Sequence, residues 1–333
     1  AALALADPGS SGGRLLVWQI TLPMIADNPV AGVGPGQFGG AYPAYQAEFW
    51  ADSVNLRWAH KASDLVQPHN DMLLKTAETG LPGGLLWLGV WLAAGAALLG
   101  DVRRRAADSG PSLALLAVLV TLGVHGTVDS VSLVVPVALV GHLILGVAPM
   151  PVTIFRPRRT VWALGLVVVS LGVGWEIAGL AREYEGHRRW LQGRLAVEEE
   201  TVDLLRTASS RLPGHAQLQA ELGAAVAALG PTGEGIAILE EALDLGAPPA
   251  TLLTLGDAYL AAGNPLGAEA SARAYLAVFP DRLRPRLLMA RSFLAQGNRE
   301  AARAELVRCI RRQTVARSPA VDAVANEAKA VWQ

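Results

Sequence analysis

The sequence predicts an all-α protein in two parts, a polytopic bundle of transmembrane helices followed by a soluble array of paired helices. Three observations carry this reading. Hydrophobic residues make up 52% of the 333 positions and the mean hydropathy is +0.33, too apolar for an ordinary soluble enzyme. Between residues 81 and 180 lie four apolar runs, each about long enough to cross a hydrocarbon core of roughly 30 Å as a helix. Beyond Leu180 the composition turns to Ala, Leu, Glu and Arg with little β-branching, and a motif recurs. The formal net charge of −1, with no Lys/Arg block interleaved with aromatics, argues against a nucleic-acid partner. The single cysteine, Cys309, cannot form a bridge within the chain.

Residues 1–13 read as the end of a preceding span or loop, punctuated by the turn-forming cluster Asp7 to Gly13. Without an initial Met or a signal peptide, the chain is expected to be a piece whose earlier spans lie upstream. Residues 14–80 form the one long polar, charged and aromatic stretch that leads directly into membrane. Within it, Arg14 to Ala26 suits a short helix at the membrane surface, ended by Asp27-Asn28-Pro29. Gly32, Gly34, Pro35, Gly36, Gly39 and Gly40 impose turns. No strand precedes Gly32 and no βαβ unit follows, so these glycines serve a close backbone approach better than a dinucleotide loop. Tyr42 to Trp50 predicts a short helix with Tyr45 and Phe49 on one face. His69 to Thr79 predicts another, started by Pro68 and stopped by Gly80, with His69, Met72, Leu73 and Thr76 on one face.

The four spans, together residues 81–180, are Leu81–Gly100, Pro111–Val128, Val131–Ala148 and Thr160–Leu180. Arg103, Arg104 and Arg105 follow the first, and Arg156, Arg158 and Arg159 follow the third. Short Arg-rich connections stay cytoplasmic, which puts the 14–80 loop, the turn at Asp129-Ser130 and residues 181–333 outside the cytoplasm. Trp87, Trp91, Trp175 and Tyr184 fall where an outer aromatic belt belongs.

In the last part Leu255-Gly256-Asp257-Ala258-Tyr259, with Ala268 and Pro280, has the spacing of a tetratricopeptide unit. Ala290, Phe293 and Ala302 recur 34 residues after Gly256, Tyr259 and Ala268. A weaker copy has Leu222-Gly223, Val226 and Leu239, and Leu205 to Pro213 matches the second helix of one before it. Small residues would let paired helices approach while Leu, Tyr and Phe fill the gaps between neighbours.

Several residues could carry chemistry. Arg14 stands where a guanidinium can meet phosphate at headgroup level, its five-donor fork gripping pyrophosphate without a metal; the plainer reading is an anchor for an interfacial helix. Arg57 and Lys61 are further cationic candidates. His69 in Pro68-His69-Asn70-Asp71 can take a proton from a sugar hydroxyl near neutral pH, although a lone His at a helix start more often caps or packs. Asn70, Asp71 and Glu78 stand beside it, and Asp71 and Glu78 would equally serve a helix surface. His125 and Asp129, four apart at the outer end of the second span, would share a face, as a functional pair or a hydrogen-bonded cap. His142 and Glu176 are taken as structural. No set with zinc geometry, Asp-x-Asp, P-loop or Gly-x-Ser-x-Gly occurs, so no metal and no cofactor are expected.

The order of these motifs, Arg14-x3-Trp18, then DNPVAGVGPGQF, PHND and AETGLPG, resembles the extracytoplasmic loop of the O-antigen ligase and polymerase family, over roughly residues 14–148. The resemblance implies a metal-independent membrane glycosyltransferase of the bacterial cytoplasmic (inner) membrane. It would move a glycan from an undecaprenyl-pyrophosphate donor to a hydroxyl of a glycan, lipid or protein acceptor. Arg14 and His69 would be catalytic, with Arg57, Lys61, Asn70, Asp71, Glu78, His125 and Asp129 binding substrate. The repeats would be an added domain able to hold an envelope protein. The rivals are a non-catalytic scaffold and, less in keeping with so large a loop between spans, a lipid-glycan transporter.

Overall fold

The computed structural model describes residues 10–104, 109–147, 183–196, 199–315 and 319–332, all helix, turn or loop with no strand among them. The chain divides into two compact units. One takes residues 1–45 and 65–166, the other residues 46–64 and 167–333. This differs from the division at 80 and 180 read from the sequence, because the middle of the 14–80 loop groups with the later helices.

In the first unit, α1 (Ser10–Asp27) buries Leu16, Val17, Ile20 and Met24, which recur at three- and four-residue intervals along one face. Asn28 closes α1 by donating from Nδ2 to Met24 O (3.1 Å) and to Tyr45 Oη (3.2 Å). α2 (Phe38–Ala51) starts four residues earlier than the sequence suggested, and Phe38 and Tyr42 stack at 5.4 Å, almost wholly buried. Its first turns belong to this unit and its last to the other.

α3 (Asp71–Arg104) is the long element, and Gly80, predicted as a stop, is a kink within it at φ 72°, ψ 179°. The kink follows from hydrogen-bond chemistry. Pro82 has no N–H to offer Glu78 O, and Leu81 N–H turns away to Pro29 O (2.8 Å). The two carbonyls thus freed are taken from outside the helix, Ala77 O by Val33 N (2.9 Å) and Glu78 O by Gly34 N (3.0 Å). Such backbone-to-backbone docking leaves no room for side chains. A Cβ on Gly32 would lie 2.3 Å from Glu78 C, and one on Gly80 2.3 Å from Val30 O.

α4 (Gly110–His125), a 3-10 turn at Val131–Leu133 and α5 (Val135–Val147) complete this unit. Ala94 and Leu98 of α3, Leu119 of α4 and Ile144 of α5 form a small core. Among the described residues one helix, α3, is long and apolar enough to cross a membrane; α4 and α5 are shorter apolar helices. Only 17% of the apolar window of α3 is buried, unlike the core helix of a soluble protein. The expected fourth span, Thr160–Leu180, lies outside the described residues, as do Trp175 and Glu176.

The second unit runs through α6 (183–195), α7 (Glu199–Arg211), α8 (Ala216–Leu229), α9 (Thr232–Asp244), α10 (Thr251–Ala261), α11 (Pro265–Val278), α12 (Arg284–Ala295), α13 (Arg299–Val315) and α14 (Pro319–Trp332). From α7 onward each helix packs on the next, and α8, α10, α12 and α14 also touch in succession. Small residues make this possible. A Cβ on Gly223 would sit 2.8 Å from Leu239, and one on Gly256 2.4 Å from Leu288. The repeating positions Ala258, Ala268, Ala290, Phe293 and Ala302 are all buried. Cys309 is buried too, and burial pushes its thiol up to about 11, so it stays protonated and inert.

Candidate functional site

Two short pieces of the first unit, residues 67–71 and 126–132, face each other where α3 begins and α4 ends. α3 begins at Asp71, not at His69 as the sequence suggested. Asn70 is its cap: Asn70 Oδ1 accepts from Leu73 N (2.9 Å) and Asn70 O from Leu74 N (2.9 Å). His69 therefore precedes the helix and does not share a face with Met72, Leu73 and Thr76. Its backbone is left-handed (φ 52°), uncommon for a residue with a Cβ and sustained only by surrounding contacts. The Trp18 indole of α1 supplies one by donating from Nε1 to Pro68 O (2.9 Å).

Facing residues supply the rest. Asn70 Nδ2 donates to Thr127 O (2.9 Å), and Asp71 N to Gly126 O (2.8 Å). The carboxylate of Asp71, 1% exposed, accepts from Ser132 Oγ (2.6 Å) and from Ser132 N (3.2 Å to each oxygen). His69 Nδ1 lies 3.1 Å from Asp129 Oδ1. A carboxylate can only accept, so Nδ1 carries the hydrogen, and the tautomer with that hydrogen presents its lone pair at Nε2. The hydrogen bond from His69, that from Ser130 N and, to a smaller degree, the charge of Arg14 hold the Asp129 carboxyl below its ordinary range, so it stays ionised. With side-chain exposures of 32% for His69 and 43% for Asp129, the pair is open to a substrate and screened by solvent.

His69, Asn70, Asp71 and Asp129 thus come together, and Asp129 lies within reach of the Arg14 charge. Within the same unit His125 and Glu78 do not join them. His125 and Asp129 are not stacked on one helix face, because α4 ends at His125; Asp129 N donates to His125 O (3.0 Å), the His125 side chain is exposed, and the Asp129 side chain turns to His69. Glu78 is buried at the kink, where its carbonyl holds Gly34. Arg57 and Lys61 belong to the second unit, in a 3-10 turn (Asn55–Lys61) where they lie 5.3 and 5.4 Å from the centre of the Trp58 ring. His142, taken as structural, bonds Ala138 O one turn back in α5. Sequence reasoning missed Ser132 and Thr127, 61 and 57 positions from their partners, and no local pattern announces them. Among the described residues no group of three or more His, Cys, Asp or Glu is placed to hold a metal ion.

An apolar groove runs along α3 and α4 from Leu99 past Trp91, Trp87 and Leu116 to Met72, Gly126 and Thr127, and so ends beside Asn70 and Asp71.

No curated protein matches the chain. Residues 4–88, about a quarter of it, match the model of the O-antigen ligase family. The matched stretch holds Arg14, Trp18, His69, Asn70 and Asp71, while Asp129 and Ser132 lie beyond it. The match supports the O-antigen ligase family, a family of the bacterial inner membrane, and with it a glycosyl-transferring, ligase- or polymerase-like role in glycan assembly.

Proposed function

We propose that the chain transfers a glycan from an undecaprenyl-pyrophosphate donor to the hydroxyl of an acceptor, without a metal, at the His69–Asp129 pair. The observation that carries this is the 3.1 Å contact of His69 Nδ1 with a carboxylate held ionised, to which the charge of Arg14 also contributes. His69 Nε2 takes the proton of the acceptor hydroxyl as its oxygen attacks the anomeric carbon. The bond from that carbon to the pyrophosphate oxygen breaks, and the lipid pyrophosphate leaves with the electron pair. Asp129 fixes the tautomer and stabilises the imidazolium; Arg14 meets the charge on the departing pyrophosphate. A positioned base of this kind typically contributes about 10²–10⁴ in rate. The apolar groove ending beside Asn70 and Asp71 suits a donor that arrives on a polyprenyl chain.

In this reading the Arg-rich connections face the cytoplasm, and both the site and the second unit lie outside it. The second unit is a tetratricopeptide array, supported by the burial of its repeated small and aromatic positions, and is suited to receiving an envelope protein.

The test uses the full chain in lipid with a lipid-linked donor. His69→Ala is expected to remove turnover and leave donor binding intact. Arg14→Lys is expected to weaken donor binding although charge is kept, because an ammonium lacks the paired donors of guanidinium. Transfer by His69→Ala at the wild-type rate, at matched expression, would sink the enzymatic reading and favour a scaffold.

A further inference from the structure

The middle of the loop, residues 46–64, is gripped within the second unit at two points. Gln46 and Trp50 lie one turn apart on α2, and both side chains donate to a single acceptor, Val278 O, at 2.9 and 3.0 Å. Gln46 is 1% and Trp50 4% exposed. Val278 is the last residue of α11, so its carbonyl is among those a helix leaves without an internal partner. Its two lone pairs take the two donors, and the negative end of α11 is capped by side chains 232 and 228 positions away in sequence. The second grip follows the 3-10 turn. Arg282 Nη2 donates to Ala62 O (3.3 Å) while its guanidinium lies 5.8 Å from the Phe279 ring centre. Ala59, His60 and Ala62 line one side of a small cleft, and Phe279, Asp281 and Arg282 the other.

Chain connectivity gives these contacts a consequence. Only residues 65–68 separate the gripped segment from His69, and at about 3.3–3.6 Å per extended residue they reach at most roughly 14 Å, so a displacement of Asp64 beyond that reach is passed on to His69. We infer that the second unit is a receptor for the chain's own loop: the end of α11 and Arg282 clamp residues 46–64, and the clamp restrains the approach to His69. Gln46 and Trp50 are positioning residues. The clamp does not depend on which reaction His69 performs.

The test is amide hydrogen exchange on the full chain in lipid. Gln46→Leu with Trp50→Phe keeps bulk and removes both donors to Val278 O; Arg282→Gln removes the other grip from the surface and guards against misfolding of the first variant. In both, exchange across residues 46–64 should rise about tenfold, as loss of buried hydrogen bonds makes local opening more frequent. Exchange at residues 65–67 should rise with it, while α8 to α10 stay unchanged. If 46–64 exchanges at the wild-type rate in both variants, there is no clamp. If 46–64 loosens and 65–67 does not, the restraint on His69 is refuted.

Discussion

The two units bury helical faces in opposite ways. In the first, Leu85, Leu86, Leu92, Val120, Leu139 and Leu143 stand 56–70% exposed on α3, α4 and α5, around a core of four residues. In the second, Leu218, Leu239, Ala268, Ala290 and Leu306 are at most 1% exposed. Outward leucines at such density would aggregate in water and are at home in lipid. The polar groups follow the same division. In the first unit they gather where helices stop, at 67–71 and 126–132, because helix interiors there satisfy their own backbone and only the ends have donors and acceptors to spare. In the second they lie mostly on the surface, as in Arg188–Glu185 and Arg206–Glu234.

The largest break should come from the glycine contact that shapes the first unit. Gly32→Val places a Cβ 2.3 Å from the Glu78 backbone at φ +67°, and is expected to cost several kcal/mol, on the order of 4 or more, enough to lose the folded unit. Gly36→Ala shares the positive φ (75°) but has open space, so it should cost only about 1–2 kcal/mol. Thermal melts followed by tryptophan fluorescence in detergent separate the two. Equal effects would mean that φ alone matters and the docking on α3 does not.

A middle-sized effect sharpens the contrast in burial. Leu239→Ala should lower the stability of the second unit by about 2–5 kcal/mol, read as a shifted helical melt. Leu86→Ala, the same deletion at a site 70% exposed, should cost under about 1 kcal/mol in detergent. Comparable shifts would contradict an outward, lipid-facing α3.

The smallest effect is that of pH on the His69–Asp129 pair. Asp129 has a depressed carboxyl, so its contribution is fully present above the ordinary carboxylate value near about 3.9 and is lost as pH falls through its own lower value. Melts of wild type and Asp129→Asn should differ slightly at pH 6 and converge toward pH 3. A gap that widens as pH falls below about 3.9 would mean that the carboxyl is not held ionised.

These contrasts bear on what could be read in advance. Helices in both units were legible because apolar and small residues recur there at helical spacing, although of the three expected spans that fall among the described residues one helix is long and apolar enough to cross a membrane. Gly80 was legible as an interruption but not as a kink, since the carbonyls it frees are satisfied by Val33 and Gly34, more than forty positions earlier. His69, Arg14 and Asp129 each stood out by residue type. Their convergence did not, because it rests on pairs 50 to 61 apart, Trp18 with Pro68, His69 with Asp129 and Asp71 with Ser132. Spacing misled for His125 and Asp129, where a helix ending three residues before the expected Val128 turned a face into a turn. For Arg57 and Lys61 spacing carried no signal, and the segment they occupy, residues 46–64, groups with the later helices.

The central claim is that His69 and Asp129 act as one device, and a double-mutant cycle on transfer rate tests it most directly. Rates are measured in lipid for wild type, His69→Ala, Asp129→Ala and the double variant, at matched insertion. If Asp129 works only by orienting His69, the double variant should be no slower than His69→Ala alone. If the two losses multiply, the residues act independently and the pair seen at 3.1 Å is not the working unit.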